Sequence, residues 1–280
     1  MKRFLWITAL MLMTALTAFS QDKTAILMVH YGTTHDETRA LTIDAVNQAV
    51  REAFPDAEVR EAWTSRIVVK RLAARGVERL LPVDALLKLR GEGYRRVIVQ
   101  TTTLLEGAEM ASLRRDVESV KPFFKQILVG EPLLYSVNAC TEVADLLIKR
   151  HADRADARKR AHVVLVGHGT HAPNNATYSQ MEHLLQRRGS ALFHVATVEG
   201  YPTLATLTAD LKAAKARKVT LVPFLLVAGE HAVRDISGEW KTALEAEGLQ
   251  VETVLEGLGQ LPEIQSIFVS RIQTLVSRLK

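Results

Sequence analysis

The sequence predicts an α/β fold of two lobes, each built on a parallel sheet, with a cleft between them. Three observations predict it. Apolar strand-like runs alternate with amphipathic helical stretches along the chain, the pattern of parallel sheets covered by helices on both faces. Two of those runs end alike: TAILMVHYGT at 24–33 and AHVVLVGHGT at 161–170, with Gly32 against Gly169 and Thr33 against Thr170. Two later runs also match in the same order: RRVIVQTTTLLEG at 95–107 and RKVTLVPFLLVAG at 217–229, which sets Glu109 opposite His231. Matched segments in one order suggest an internal duplication; chance similarity between strands of α/β proteins is the alternative.

The strands are expected at 24–30, 57–63, 96–102, 126–130, 162–167, 192–198, 218–225 and 250–255. The clearest of them are continuous apolar runs bounded by glycine, as buried parallel strands are. Helices are expected at 36–53, where Leu41, Ala45, Ala49 and Val50 recur between charges, and at 82–91, where Pro82 suits a first helical turn. Further amphipathic stretches cover 138–151, 202–216, 231–247 and 262–279. Residues 151–160, HADRADARKR, are charged and lack apolar periodicity. They read as the linker, dividing an N-terminal lobe (21–150) from a C-terminal lobe (151–280) that carries most of the candidate metal ligands.

Residues 1–20 carry Lys2 and Arg3, then an almost wholly apolar run from Phe4 to Thr17, then Ala18 and Ser20 at the −3 and −1 positions before Gln21. This is the pattern of a signal peptide. The apolar run is shorter than the ~20 residues that span a bilayer, which favours cleavage over an anchor. The mature chain is therefore expected in a periplasm, without stable membrane insertion. The composition, 48% apolar and 24% charged over 280 residues, excludes a disordered, collagen-like or polytopic membrane protein. A net charge of +5 with no dense basic run argues against nucleic acid as a partner. The lone Cys140 excludes an internal disulfide and a cysteine-based zinc site. Phosphate-loop, dinucleotide, nucleophile-elbow and H-E-x-x-H motifs are absent.

In parallel sheets, ligands bind beyond the carboxyl ends of the strands. His168 lies there between Gly167 and Gly169, Glu199 follows the strand at 192–198, and His231 follows the one at 218–225. Two imidazoles and a carboxylate form a divalent-metal set with open positions. Taken singly, each histidine reads more simply as a hydrogen-bonding turn residue. Glu199 and Glu109, singly, read as first-turn helix acids. Convergence at one sheet edge favours a joint site, with Glu109 facing it from the other lobe. His30 and His35 could line the cleft and Tyr31 could wall it. His171 is placed as a neighbour of His168, His151 and His162 in or beside the linker, and His183 and His194 as surface or packing residues.

The stretches HYGTTHD (30–36), AWTS (62–65), LEGAE (105–109), VGHGT (166–170), VEGYP (198–202), LVAGEHA (226–232) and EGLG (256–259) run in order through the chain. In these it resembles the class II tetrapyrrole chelatases, specifically the anaerobic sirohydrochlorin cobaltochelatases. The resemblance implies two Rossmann-like, chelatase-like lobes that hold a macrocycle between them. It implies His168, Glu199 and His231 as metal ligands, with His168, His231 and Glu109 as catalytic residues. The metal substrate is then Co²⁺, with Fe²⁺ as a second candidate, and no organic cofactor is required. Arg39, Arg66, Lys70 and Arg234 are candidates by position for the carboxylates of the ring. The export signal supports another reading, a periplasmic haem or tetrapyrrole carrier or an iron-removing chelatase. A homo-oligomer is compatible with either.

Overall fold

The computed structural model describes residues 23–229 and 232–280. The predicted signal segment and His231 lie outside the described residues. Strands β1 (Lys23–His30), β2 (Glu58–Trp63), β3 (Tyr94–Thr101) and β4 (Gln126–Val129) form one parallel sheet in the order β2-β1-β3-β4. Strands β5 (Ala161–Gly167), β6 (Phe193–Thr197), β7 (Lys218–Pro223) and β8 (Gln250–Thr253) form a second in the order β6-β5-β7-β8. The two orders are the same, as a duplicated unit requires. β5 is buried at all seven positions, which is why it is apolar almost throughout rather than alternating.

Helix α1 runs through Asp36–Arg39, a wider π segment Ala40–Asp44, and Ala45–Ala53. It is followed by α2 (Arg66–Ala73), α3 (Pro82–Gly91), α4 (Ala108–Val120), α5 (Val137–His151), α6 (Ala176–Arg188) and α7 (Leu204–Ala213). Helix α8 joins a π segment Ala232–Trp240 to Lys241–Ala246, and α9 spans Pro262–Val276. Helices α2, α4 and α6 go beyond the sequence expectation. The apolar spacing was present: α4 buries Met110, Leu113, Val117 and Val120, and α6 buries Tyr178, Met181 and Leu185. In α2 the run Ile67-Val68-Val69 is β-branched and masks the helical period.

Helices pack across the lobes. Helix α5 packs against α6 of the second lobe, and α9 returns to pack against α1 and β3 of the first. The chain therefore crosses between sheets in 130–136, and the charged segment 152–160 joins α5 to β5 on one side of that crossing. Each lobe lends the other a helix, because one continuous core joins Ile26, Val46 and Ile98 with Val143, Leu147, Met181, Phe193, Ile264 and Phe268. The outer faces of the two sheets carry separate cores, one around Leu27, Val99 and Leu113 and one around Val164, Leu221 and Trp240. Arg271 on α9 fastens the crossing. Its guanidinium donates to the carbonyls of Pro132 (2.6 Å) and Leu133 (2.7 Å) and lies 5.0 Å from the centre of the Tyr135 ring.

Burial corrects the expectation for His30, which does not line the cleft. It is fully buried, with Nε2 3.0 Å from Asn47 Oδ1 and Nδ1 2.9 Å from the Thr102 hydroxyl. Asn47 donates its amide to Glu61 at 2.9 Å, so its carbonyl oxygen accepts the Nε2 proton of His30. His162 and His194 are buried on adjacent strands with ring nitrogens 2.9 Å apart. His151 is buried at the end of α5.

Candidate active site

The mouth of the second lobe is shaped by glycines. A Cβ on Gly167 would enter the Tyr178 ring. Gly169 has φ +83°, and a Cβ there would stand 2.5 Å from Gly200 N and 2.7 Å from Thr197 Cβ. The loops after β5 and β6 therefore close on each other in a way that only glycine permits. Hydrogen bonding between those strands continues past their ends: Val198 N donates to Gly167 O at 3.0 Å and Glu199 N to His168 O at 2.8 Å. Asn175 ties the same loops, accepting from Thr170 N at 3.0 Å and donating to Tyr201 O at 2.6 Å.

This frame holds His168 beside Glu199, with Nδ1 3.8 Å from Glu199 Oε2. Nδ1 is also 3.1 Å from Gly169 O. A carbonyl oxygen only accepts, so the neutral ring carries its proton on Nδ1 and its lone pair on Nε2. That lone pair is what a metal ion or an N–H proton needs.

Glu109 comes from the opposite lobe, in the first turn of α4. Its Oε2 accepts a 2.8 Å hydrogen bond from the Thr64 hydroxyl. Burial raises the pKa of Glu109 above the usual carboxylate value, while the Thr64 hydrogen bond and the charge of His168 pull it back. Glu109 therefore lies within electrostatic reach of His168. The rims also meet beside them: a Cβ on Gly107 would stand 2.6 Å from Asn174 Nδ2. On the other side, a Cβ on Gly229 would lie 3.8 Å from Thr33 Oγ1, so the segment leading to His231 runs beside the first strand-end loop of the other lobe.

The structure thus holds His168 beside Glu199, and Glu109 beside Thr64 on the other lobe. Among the described residues no three His, Cys, Asp or Glu side chains form a group that could hold a metal ion, and His231 is outside them. Arg39 is engaged with Asp36 and Asp44, and Arg234 with Asp235. Arg66 and Lys70 are exposed on α2, and Tyr31 and Tyr201 are exposed at the ends of β1 and β6. His35 and His171 are exposed as well. Two residues that matter here, Thr64 and Asn175, were not singled out from sequence. Thr64 stood inside the quoted stretch AWTS, whereas Asn175, ahead of a helix, looks like an ordinary cap.

Paired four-stranded parallel sheets, with an imidazole and a carboxylate side by side beyond the strand ends, define a two-lobed chelatase-type α/β protein. Solved structures share this fold at low identity. SirB from Bacillus subtilis with Fe3+ aligns at TM-score 0.65 and 17% identity, covering 90% of this chain and 94% of that one. The sirohydrochlorin chelatase SirB from Bacillus subtilis subspecies spizizenii in complex with cobalt aligns at TM-score 0.61 and 16% identity, covering 91% and 96%.

The chain belongs to the cobalt chelatase (CbiK) family, which it matches over residues 24–277. It is 30% identical over 255 residues to the sirohydrochlorin cobaltochelatase of Salmonella typhimurium, covering 89% of this chain and 95% of that one. It is 33% identical over 268 residues to the sirohydrochlorin cobaltochelatase CbiKC of Nitratidesulfovibrio vulgaris, covering 92% of each. Among the described residues no helix is long and apolar enough to cross a membrane.

Proposed function

We propose that this chain is a metal chelatase that inserts Co²⁺ into sirohydrochlorin. The observation that carries the reading is the His168–Glu199 pair at the strand ends of a cobalt chelatase family member, with Glu109 held by Thr64 on the other lobe. Insertion exchanges one divalent ion for two pyrrole N–H protons, so a site must hold the ion loosely and accept protons. His168 and Glu199, with His231 as the third ligand, make a set that leaves coordination positions for water and then for the ring. The Nε2 lone pair of His168 serves as ligand or as base. Glu109, half-buried and with raised proton affinity, is suited to take a proton from the ring on the opposite side.

Fe²⁺ is a second metal that the same donors accept. A haem carrier needs no such acid–base pair, and the paired groups favour turnover. Export to a periplasm, read from residues 1–20, is part of the proposal. The test is an anaerobic absorbance assay on the chain from Gln21 with sirohydrochlorin and Co²⁺. Growth of the cobalt-complex spectrum above the spontaneous rate, lost in His168→Ala, is the expected result. A bound-ring spectrum with no insertion overturns the reading in favour of a carrier.

A further inference from the structure

We infer that Thr64 is a positioning residue for the reaction: its hydroxyl aims the Glu109 carboxylate at the cleft from a neighbouring loop. The inference rests on the chelatase reading above. Glu109 and Thr64 are far apart in sequence and follow different strands, β3 and β2. In the sheet those strands flank β1, so the two residues meet across the carboxyl end of β1.

Thr64 is held on both sides of its side chain. Its amide donates to His30 O at 2.8 Å, and that of Ser65 donates to Tyr31 O at 3.2 Å, extending the β1–β2 pairing beyond the strands. Ser65 is buried and caps α2 by accepting from Val68 N. Between these anchors the β-branched Thr64 has little rotamer freedom, and its hydroxyl donates to Glu109 Oε2 at 2.8 Å.

Glu109 is the flexible partner. A glutamate in a first helical turn often turns back toward the free amides of its own helix. Here its carboxylate is drawn instead toward the first-lobe strand ends, where the Thr64 hydroxyl holds it. A carboxylate that must meet a ring proton from one side gains rate by being held in line, because orientation lowers the barrier without strengthening ground-state binding. Thr64 has no need to touch the ring or the metal to do this.

The test is steady-state Co²⁺ insertion by the chain from Gln21, with Thr64→Val, Thr64→Ser and Glu109→Gln, singly and with Thr64→Val combined with Glu109→Gln. Valine keeps the shape of threonine and removes the hydroxyl; serine keeps the hydroxyl. The expected result is that Thr64→Val lowers kcat by roughly 10-fold, the size of one hydrogen bond to a charged group. KM for sirohydrochlorin should stay near wild type, and Thr64→Ser should recover most of the rate. In the Glu109→Gln background, Thr64→Val should add little. Circular dichroism and thermal melting check the fold, and Thr64→Ala stands in if the valine variant does not fold. An active wild type whose Thr64→Val keeps its full rate overturns the inference alone. So does a Thr64→Val loss of the same size without Glu109, or a loss that serine does not repair. A wild type with no insertion overturns the chelatase reading and this inference with it.

Discussion

Replacing Gly169 by alanine tests whether the closeness of the β5 and β6 loops is set by sterics. Gly169 and Gly248 share nearly the same left-handed backbone, φ +83° and +84°. Their surroundings differ. A Cβ on Gly248 meets nothing within 4 Å, whereas one on Gly169 meets Gly200 N at 2.5 Å and Thr197 Cβ at 2.7 Å. The left-handed conformation costs a non-glycine residue about 1–2 kcal/mol in either place. The neighbours of Gly169 include backbone, which cannot turn aside as a side-chain tip can, so a further ~1–3 kcal/mol is expected from overpacking there. Gly248→Ala should therefore lose about 1–2 kcal/mol and Gly169→Ala about 2–5 kcal/mol. Urea unfolding followed by circular dichroism measures both. The β6 loop must also retreat to admit the methyl group, which lengthens the His168–Glu199 approach and should weaken Co²⁺ binding in Gly169→Ala alone. Equal losses in the two variants, with Co²⁺ binding intact, would refute the reasoning.

Two further outcomes are expected. Burial, aided by the neighbouring His194, lowers the His162 pKa from 6.5 to about 4, and burial likewise lowers that of His151 to about 4. Above pH 6.5 neither state takes up these protons; as pH falls toward 4 the unfolded chain binds them first, so stability should drop through that window by up to about 3 kcal/mol per group. Urea midpoints at pH 7.5 and 4.5 should show the drop, and His162→Gln should make it shallower. Arg271→Met leaves the carbonyls of Pro132 and Leu133 without their cationic donor. It should destabilise the chain by about 2–4 kcal/mol, and Arg271→Lys, lacking the forked geometry, should recover less than half of that in the same unfolding assay.

Much of the architecture was legible in the sequence because buried parallel strands leave a direct trace. All eight strands appear near their expected positions, since a strand covered on both faces, such as β5, has to be apolar along its length. The repeated segments lie on strands that hold matching places in the two sheets, β1 with β5 and β3 with β7. His168 and Glu199 could be picked out because a strand end beside glycine is where a side chain reaches a cleft. Helices are less legible where a β-branched run hides the period, as in α2.

Position along the chain does not report which surfaces meet, and there only the tertiary structure decides. The charged run at 151–160 marks an exposed connection, yet α5 before it already packs on the second lobe and α9 returns to the first. That exchange follows from the complementarity of apolar faces in a shared core, which no local pattern contains. His30 and His35 look alike as strand-end histidines; one is sealed among Asn47 and Thr102 and the other is exposed. The places of His168 and Glu199 just past β5 and β6 were readable from sequence. The aim of Glu109 was not, because it depends on Thr64, a residue from another loop that meets it only once β1 lies between their strands.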